Sequence, residues 1–539
     1  MTPPPESRPS ASRLSRTLSV SAFTLVSRVL GLVRDQVFAA LLGAGALADA
    51  FVVAFRVPNL LRDLFAEGAL SAAFVPSFAR VESGEGRDRA YVLGNRVVGG
   101  VMASVGALVI LAMALAPQIV SLLAPGFDPD KAAVTAHLAR IMAPFLLLVS
   151  LAAVTMGMLN AQERFTAPAL APALFNIAAI AVGAGLYLSG ADPRVAVVGW
   201  SLGTLAGGVL QLAVQVPPLW RLGYRPRPRV AGNLADPGVR RILRLMGPAT
   251  IGLAAVQINI FVNTQFASHL PGANAHLNYA FRLMYLPIGL FGVAVATVTG
   301  AAMARSAAER DIPALRTGLA QGLRHVAFLT IPSSIGLIVL AEPVIRLIYQ
   351  HGRFTGEDTA STGRALLGYA LGLVFYAAVK VMASAFYALD RARVPLLAST
   401  GAVATNIVFN ALTYRTLGVF GLALGTALGA LVNAGVLALF LHRAIRNDAP
   451  GNSIANPVAR MLAAGLFMGA MVWALERWLA GMMGYATTAR EIAVVGTCVM
   501  AGIAVYAGMC HLFRVGELAE LAGGLRRRLG QGTGNGEGR

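Results

Sequence analysis

Long apolar runs, separated by short polar gaps, fill almost all of this sequence. A helix needs about 20 apolar residues to cross a bilayer. Fourteen runs reach that length, at 17–42, 47–79, 91–123, 133–159, 166–189, 195–219, 241–269, 276–304, 323–349, 359–388, 394–413, 417–441, 455–480 and 488–512. The sequence therefore predicts an all-α, polytopic membrane protein with about 14 transmembrane helices.

The composition excludes the other broad classes of protein. The 539 residues are 56% hydrophobic and only 13% charged, whereas a soluble surface needs about a quarter charged residues. A soluble enzyme, a disordered chain and a disulfide scaffold are therefore excluded together. The two cysteines, Cys498 and Cys510, lie in one apolar run and are interpreted as small core residues rather than as a disulfide or metal pair.

The positive charge of the chain is interpreted as a topology signal. A formal net charge of +19 resembles that of a nucleic-acid-binding protein, but the basic residues lie mainly in alternate gaps between the apolar runs. Such gaps mark the cytoplasmic side of a membrane protein. We expect no nucleic-acid partner, a cytoplasmic loop at 221–240, and cytoplasmic tails at 1–16 and 516–539.

A faint internal repeat suggests two similar lobes. Three short motifs recur 226, 227 and 222 residues apart: Phe55-Arg56 as Phe281-Arg282, Arg164 with Pro168 as Arg391 with Pro395, and GTLAG (203–207) as GTALG (425–429). Six spans separate the copies, which predicts lobes of equal orientation. We expect an N-lobe at 17–220, a C-lobe at 241–447, a cavity between them, and two added helices at 455–515. Chance similarity in an Ala/Gly/Leu-rich chain remains the alternative.

Ionisable residues inside the first apolar run point to a wet surface. Ser27 and Arg34 are seven residues apart, as are Arg28 and Asp35, so each pair falls on one line of a helix and the two lines adjoin. A charged group at the bilayer centre costs about 2.5–3.5 kcal/mol on insertion scales. Such groups are therefore expected to face a partner or a water-filled cavity.

The second run carries a similar polar face. Asp49, Arg56 and Asp63 follow each other by steps of seven, and further polar groups lie beside or beyond them at Asn59, Arg62 and Glu67. Pro58 removes a backbone donor and can bend the helix.

The eighth and tenth runs add Arg282 and Lys380, one of only two lysines in the chain. Internal ion pairs, such as Arg28 with Asp35 or Arg62 with Asp63 or Glu67, would explain single residues. The whole set leaves an arginine over, and both lobes contribute arginine. A cationic cavity that binds a phosphate or carboxylate head group accounts for the set better.

At these residues the chain resembles the lipid II flippase family MurJ (MviN), within the multidrug/oligosaccharidyl-lipid/polysaccharide exporter superfamily. The resemblance rests on SRVLGLVRD (27–35), on the long stretch at 43–79, on NYAFRLM (278–284) and on QHGRFT (350–355). It implies export of an undecaprenyl-diphosphate-linked peptidoglycan precursor, lipid II, across the bacterial inner membrane by alternating access. It also implies a part in cell wall biogenesis and cell shape, and a lipid-tail groove at helices thirteen and fourteen.

By motif, the resemblance places the diphosphate site on Arg34, Arg62 and Arg282. Further cavity positions carry over by the same motifs, to Ser27, Arg28, Asp35, Asp49, Arg56, Asn59 and Glu67. The chain departs from some members at Asp63 and Phe281, which would alter the charge of the cavity. Some members bind sodium through carboxylates in the second lobe; the comparable candidates here are all neutral, at Asn263, Asn406, Asn410 and Thr426.

Several functions and driving forces stay open from the sequence. A drug or cation antiporter of the superfamily would favour acidic cavity residues over arginine, whereas a transporter of another polysaccharide-linked lipid stays possible. A membrane enzyme would need clustered carboxylates for magnesium. A non-transporting scaffold would use the same charges as structural pairs. We expect no enzyme activity and no cofactor, with dependence on membrane potential or a monovalent cation left open. Lipid II, membrane lipids and other cell-wall synthesis proteins are the expected partners.

Overall fold

The apolar runs form helices throughout the computed structural model, which describes residues 11–62, 70–444, 454–520 and 523. Within those ranges every regular element is helical. In chain order, α1 to α20 are Ala11–Leu42, Ala46–Leu61, Ser71–Glu85, Arg87–Ala114, Ala116–Leu123, Pro129–Met142, Pro144–Ala161, Thr166–Leu188, Pro193–Ala213, Val216–Arg221, Pro237–Ser268, Ala273–Pro287, Val293–Ala308, Ile312–Val339, Ala341–Tyr349, Gly356–Ala370, Leu373–Ala388, Arg393–Ala444, Ala455–Met483 and Thr488–Leu512. A 3₁₀ turn at Asn233–Ala235 precedes α11, and a π-helical segment at Ile288–Gly292 joins α12 to α13.

Membrane-spanning helices are confirmed, whereas their exact number stays a prediction. Among the residues described, nine helical stretches are long and apolar enough to cross a membrane. A tenth is formed if α16 and α17, which meet at a bend of 40°, count as one span. The 52-residue α18 would be about 78 Å long if straight, at about 1.5 Å per residue, far more than a bilayer of about 30 Å. It contains the two runs predicted at 394–413 and 417–441.

A break at Gly418 divides α18 into an antiparallel hairpin. Gly418 has φ 56° and ψ −140°, outside the helical region. The two arms approach closely, because a Cβ on Gly425 would lie 2.1 Å from Asn410 Oδ1 and one on Gly429 would lie 2.9 Å from the Ala402 carbonyl oxygen. A positive φ is easy for glycine, which has no Cβ to clash.

Several other predicted runs are each divided into two successive helices. The run at 91–123 breaks at Leu115, the run at 133–159 at Ala143, and the run at 323–349 at Leu340. Proline follows two of these breaks at the first or second helical position, where a missing N–H costs nothing. Hydropathy alone does not register these breaks because the residues on both sides are apolar.

The chain divides into two compact units whose boundary differs from the predicted lobes. The first comprises Met1–Ala275 with His351–Thr355, and the second comprises His276–Gln350 with Gly356–Arg539. Helix α11, which we assigned to the C-lobe, therefore belongs to the first unit. Polar contacts explain this, since Gly126 N–H donates to Ser268 Oγ over 3.0 Å at the end of α11.

The basic loop before α11 is fastened to α4 of the first unit. Asp236, only 3% exposed, accepts a hydrogen bond from Arg89 over 3.0 Å and forms an ion pair with Arg96 over 3.1 Å. It also caps the N-terminus of α11. Asn95 Oδ1 accepts from Tyr224 Oη over 2.8 Å and from the Arg227 backbone N–H over 2.7 Å. The arginine-rich segment is thus an ordered strap rather than a free linker.

Two helix ends at the spacing of the predicted repeat share one backbone geometry. Glu163 and Asp390, 227 residues apart, both have φ 56°, which is uncommon for residues other than glycine. In each turn the next residue donates its backbone N–H back into the preceding helix, Arg164 to Leu159 over 2.8 Å and Arg391 to Phe386 over 2.9 Å. The same turn also ends helices at Arg310 and Arg514, which are not repeat partners. It is therefore a common helix-terminating turn, and the internal repeat stays a prediction.

Candidate functional site

Arg34 is the most firmly oriented of the predicted binding residues. Its Nε and Nη2 donate to Asp35 Oδ1 over 3.2 and 2.8 Å, and its Nη1 donates to Asn176 Oδ1 over 3.2 Å. The side chains of Arg34 and Asp35 are 14% and 13% exposed. A guanidinium held on two edges presents its fork in one direction, which suits bidentate recognition of an oxyanion.

A row of aromatic rings packs between the helices and ends beside the Arg34 guanidinium. Rings in α1, α2, α7 and α8 contact each other in a continuous row, with centroid distances of 5.0, 5.7, 5.4 and 5.6 Å: Phe38, Phe51, Phe55, Phe145 and Phe175. The guanidinium carbon of Arg34 lies 5.5 Å from the centre of the last ring, that of Phe175. Packed rings keep the supporting helices at fixed separation, so the position of Arg34 is set by the core of the first unit.

Arg28 and Ser27 lie on the same helix but differ in surroundings. Arg28 is exposed and, within the part of the chain that the structure describes, forms no ion pair. The Arg28–Asp35 ion pair that was the alternative explanation for these residues is therefore not formed, and Asp35 pairs with its neighbour Arg34. The Ser27 carbonyl oxygen accepts from Asn176 Nδ2 over 3.0 Å, so Asn176 joins both ends of this polar face.

Asp49 is placed inside the protein rather than on an open surface. It is fully buried, its Oδ2 lies 2.5 Å from Lys131 Nζ, and its Oδ1 accepts from the Ala275 backbone N–H over 3.0 Å. The Lys131 ammonium also lies 3.8 Å from the centre of the Phe127 ring. These contacts make Asp49 one half of a buried ion pair between α2 and α6.

Arg56 also bridges helices of the first unit. Its Nη1 donates to Thr264 Oγ1 and, over 3.3 Å, to the Ile260 carbonyl oxygen, both on α11. The buried Thr264 in turn donates to the same carbonyl over 2.7 Å. Arg56 is partly buried, and this contact with α11 is one of its roles.

The C-terminal end of α2 carries Asn59 and Arg62. Helix α2 continues through Pro58, and the backbone N–H of Arg62 donates to the Asn59 and Pro58 carbonyl oxygens. Asn59 Oδ1 is buried without a hydrogen-bond partner, and an orphaned buried acceptor of this kind calls for a proton donor. Asp63 and Glu67 lie outside the described residues.

In the second unit, the predicted binding residues are Arg282 and Lys380. Arg282 is exposed on α12, and Lys380 Nζ on α17 lies 5.9 Å from the centre of the Tyr285 ring. Phe281, 38% exposed, stacks on Tyr285 at 5.8 Å and meets Tyr369 edge-on at 5.5 Å. The π-helical segment that follows α12 begins directly after Pro287, and π-segments often mark functional sites.

The sodium candidates fall in two different units. Asn263 lies on α11 in the first unit, whereas the other three adjoin in the α18 hairpin. Asn410 Nδ2 donates to Asn406 Oδ1, and Asn406 Nδ2 donates to Thr426 Oγ1, each over 3.3 Å. The second of these bonds joins the two arms of the hairpin, whereas the first lies within one arm. Hydrogen bonds of this kind are typical of helix packing. Across the described ranges, no group of three or more His, Cys, Asp or Glu side chains is arranged to hold a metal.

Sequence reasoning missed two side chains that organise the site. Asn176 orients Arg34, and Lys131 neutralises Asp49. The sequence did contain a signal for Lys131. It is one of only two lysines in the chain, and it lies in a short gap that also contains aspartates. Asn176 carried none, because a lone amide in an apolar run is equally typical of helix packing.

Comparison with known proteins shows which family the chain belongs to. The family model described as lipid II flippase MurJ matches residues 38–492. A probable lipid II flippase MurJ of Rhizobium meliloti is 36% identical over 513 residues, covering 92% of this chain and 93% of the relative. The lipid II flippase MurJ of Burkholderia cenocepacia is 34% identical over 501 residues, covering 91% and 96%.

Solved structures extend the likeness to the fold. A lipid II flippase MurJ in an inward closed conformation matches with a TM-score of 0.75 and 26% identity, over 92% of this chain and 98% of that one. An inward-facing multidrug transporter of the MATE family shares the fold at a TM-score of 0.63 and 19% identity, over 78% of this chain and 96% of its own. Since the family model spans most of the sequence and close relatives match nearly all of it, this multi-pass membrane protein belongs to the lipid II flippase MurJ family.

Proposed function

We propose that this protein is a flippase that moves lipid II from the inner to the outer leaflet of the bacterial cytoplasmic membrane by alternating access. Membership of the family carries the proposal, because curated members are named as lipid II flippases. The retained arginines on α1, α2 and α12 support it. Both termini are proposed to lie in the cytoplasm, following the distribution of basic residues.

The oriented fork of Arg34 is the proposed first contact for the diphosphate. Its guanidinium is fixed by Asp35 and Asn176 before any ligand arrives, so little side-chain entropy is lost on binding. We propose Asn176 as a positioning residue that acts through Arg34. Asp35 keeps the guanidinium in place when the substrate is absent.

In the second unit, Arg282 and Lys380 supply further positive charge, and Lys380 lies near the Tyr285 ring. We propose that binding of the diphosphate offsets the positive charge of the arginines that bind it, so that the loaded protein can pass from an inward-open to an outward-open state. Movement of a negative group out of a negative cell interior gains about 2.3 kcal/mol per charge per 100 mV. The membrane potential is therefore a proposed driving force for the outward direction.

The test is reconstitution of the purified protein with fluorescently labelled lipid II in vesicles, with translocation followed by accessibility to an external quencher. Arg34→Ala, Arg62→Ala and Arg282→Ala are each expected to slow translocation by roughly tenfold or more, since a hydrogen bond to a charged group contributes about 1.5–3 kcal/mol. Arg34→Lys keeps the charge but not the fork, and an intermediate rate is expected.

Two further variants make the test specific. Asn176→Ala is expected to weaken lipid II binding. In a protein that already carries Arg34→Ala, adding Asn176→Ala is expected to cause no further loss, because both changes act on the same guanidinium. Arg194→Ala, at an exposed arginine on α9, is the matched control and is expected to leave the rate unchanged. Parental translocation rates in all three of the arginine-to-alanine site variants would overturn the assignment.

A further inference from the structure

The second unit contains a pocket of about 410 Å³ whose lining does not include Arg282 or Lys380. Its walls come from α15, α16 and the C-terminal part of α19, and its volume is in the range of small-ligand sites. Its charged side chains are three arginines and two glutamates, at Arg346, Arg364, Arg477, Glu342 and Glu476. The lining therefore carries one net positive charge, a match for one phosphodiester.

Two of the arginines are available to a ligand. Glu342 accepts from Arg346 Nη2 over 2.9 Å, and Glu476 accepts from Tyr485 Oη over 2.5 Å. Both carboxylates in the pocket are thus already engaged. Arg364 and Arg477 are exposed, and across the described part of the chain neither has a carboxylate partner.

Two of the three guanidiniums lie over aromatic rings. The Arg477 guanidinium carbon lies 4.3 Å from the centre of the Trp473 ring, and that of Arg346 lies 4.6 Å from the centre of the Tyr485 ring. Stacked guanidiniums keep their N–H edges free to bind in the plane of the fork. Arg346 Nε is also buried without a hydrogen-bond partner.

The pocket opens beside a surface suited to lipid. Helix α19 exposes large apolar side chains along its length, at Leu462, Leu466, Phe467, Met471 and Met482. Trp473 and Trp478, 49% and 58% exposed, lie toward its C-terminal end. Tryptophan is enriched where a spanning helix meets the head groups, and arginine near a helix end extends toward them.

We propose that this pocket binds the phosphate of an anionic lipid head group, with Arg364 and Arg477 as the phosphate contacts and the acyl chains along α19. The proposal concerns a lipid site within the second unit and does not depend on which lipid the protein translocates. A phosphate bound between Arg364 and Arg477 neutralises the net positive charge of the pocket lining. A lipid head group holds its phosphate at the membrane–water interface, where tryptophans such as Trp473 are enriched.

The experiment measures the affinity of phosphatidylglycerol for the detergent-purified protein by native mass spectrometry, with neutral phosphatidylcholine titrated in parallel. The double variant Arg364→Gln/Arg477→Gln is expected to lose about fivefold per arginine, or roughly 25-fold in all, given about 1 kcal/mol for each basic residue near an anionic lipid surface. Phosphatidylcholine affinity is expected to stay unchanged. Arg415→Gln is the matched control, since this arginine of the second unit is also exposed and also lies beside an aromatic ring, with its Nε donating to Tyr414 Oη over 2.8 Å.

Quenching of tryptophan fluorescence by brominated phosphatidylglycerol gives a second readout, with Trp473→Phe expected to remove most of the response. Equal phosphatidylglycerol affinity in the double variant and the control would overturn the proposal. Binding of inorganic diphosphate to the pocket with no preference for phosphatidylglycerol over phosphatidylcholine would overturn the lipid assignment.

Discussion

The buried pair between Asp49 and Lys131 gives the sharpest test of the structure, because the sequence suggested a binding role for Asp49 and the fold suggests a structural one. Asp49 is fully buried, and the Lys131 side chain is 12% exposed. Replacement of Asp49 by Asn leaves an ammonium facing a neutral amide. Removing one partner of a buried pair costs about 3–5 kcal/mol, because the other charge is left uncompensated.

The expected loss for Asp49→Asn is at the lower end, about 3 kcal/mol, since Lys131 keeps partial access to solvent and its contact with Phe127. The double variant Asp49→Asn/Lys131→Met removes both charges and is expected to recover part of that loss. Unfolding in mixed micelles of detergent and SDS measures the free energies. With the single variant Lys131→Met, the parent and these variants form a double-mutant cycle of four proteins, with an expected coupling energy of about 1–3 kcal/mol.

Asp130→Asn is the matched control, because Asp130 is an exposed carboxylate next to Lys131 in sequence. A surface change of this kind is expected to alter stability by less than about 0.5 kcal/mol. The structural role would be refuted by an Asp49→Asn protein that unfolds like the parent but no longer translocates lipid II. That result would return Asp49 to the binding surface.

Two further predictions concern the strap before α11. Hydrogen bonds from Arg89 and from backbone N–H groups hold the pKa of Asp236 below its usual value, against the opposing effect of burial. The stability that this carboxylate contributes is therefore present above about pH 4 and is lost as the pH falls through the lowered folded-state pKa. The unfolding free energy of the parent is expected to exceed that of Asp236→Asn by about 1–2 kcal/mol at pH 7 and to converge with it on acidification; parallel curves from pH 7 to pH 3 would contradict this. Separately, a Cβ on Gly99 would lie 2.3 Å from the Arg229 carbonyl oxygen, so Gly99→Ala is expected to detach the strap and speed trypsin cleavage after Arg229. Gly106→Ala on the same helix meets open space and should cleave like the parent.

Residues whose role depends only on local chemistry could be predicted from the sequence. Apolar run length alone predicts spanning helices, because a bilayer imposes its thickness on any segment that crosses it. The motif at 27–35 was sufficient to nominate Arg34 as a binding residue. These inferences needed no knowledge of which helices touch.

The partners of those residues could not be predicted in this way. Asp35 binds its neighbour Arg34 rather than Arg28, which lies two helical turns earlier on α1. Asn176 on α8 holds the other side of the Arg34 guanidinium. Asp49 faces Lys131, 82 residues later in the chain, rather than a substrate. Periodicity gives the face of a helix on which a residue lies, but not the element packed against that face.

The sequence by itself therefore determined the environment of this protein, the approximate positions of its helices and its family. Tertiary structure decided which charges are used internally and which remain open to a ligand. It also placed α11 with the first unit. The physical reason is that desolvation and ion pairing depend on distances across the packed core, and those distances are set by helix contacts between residues far apart in sequence.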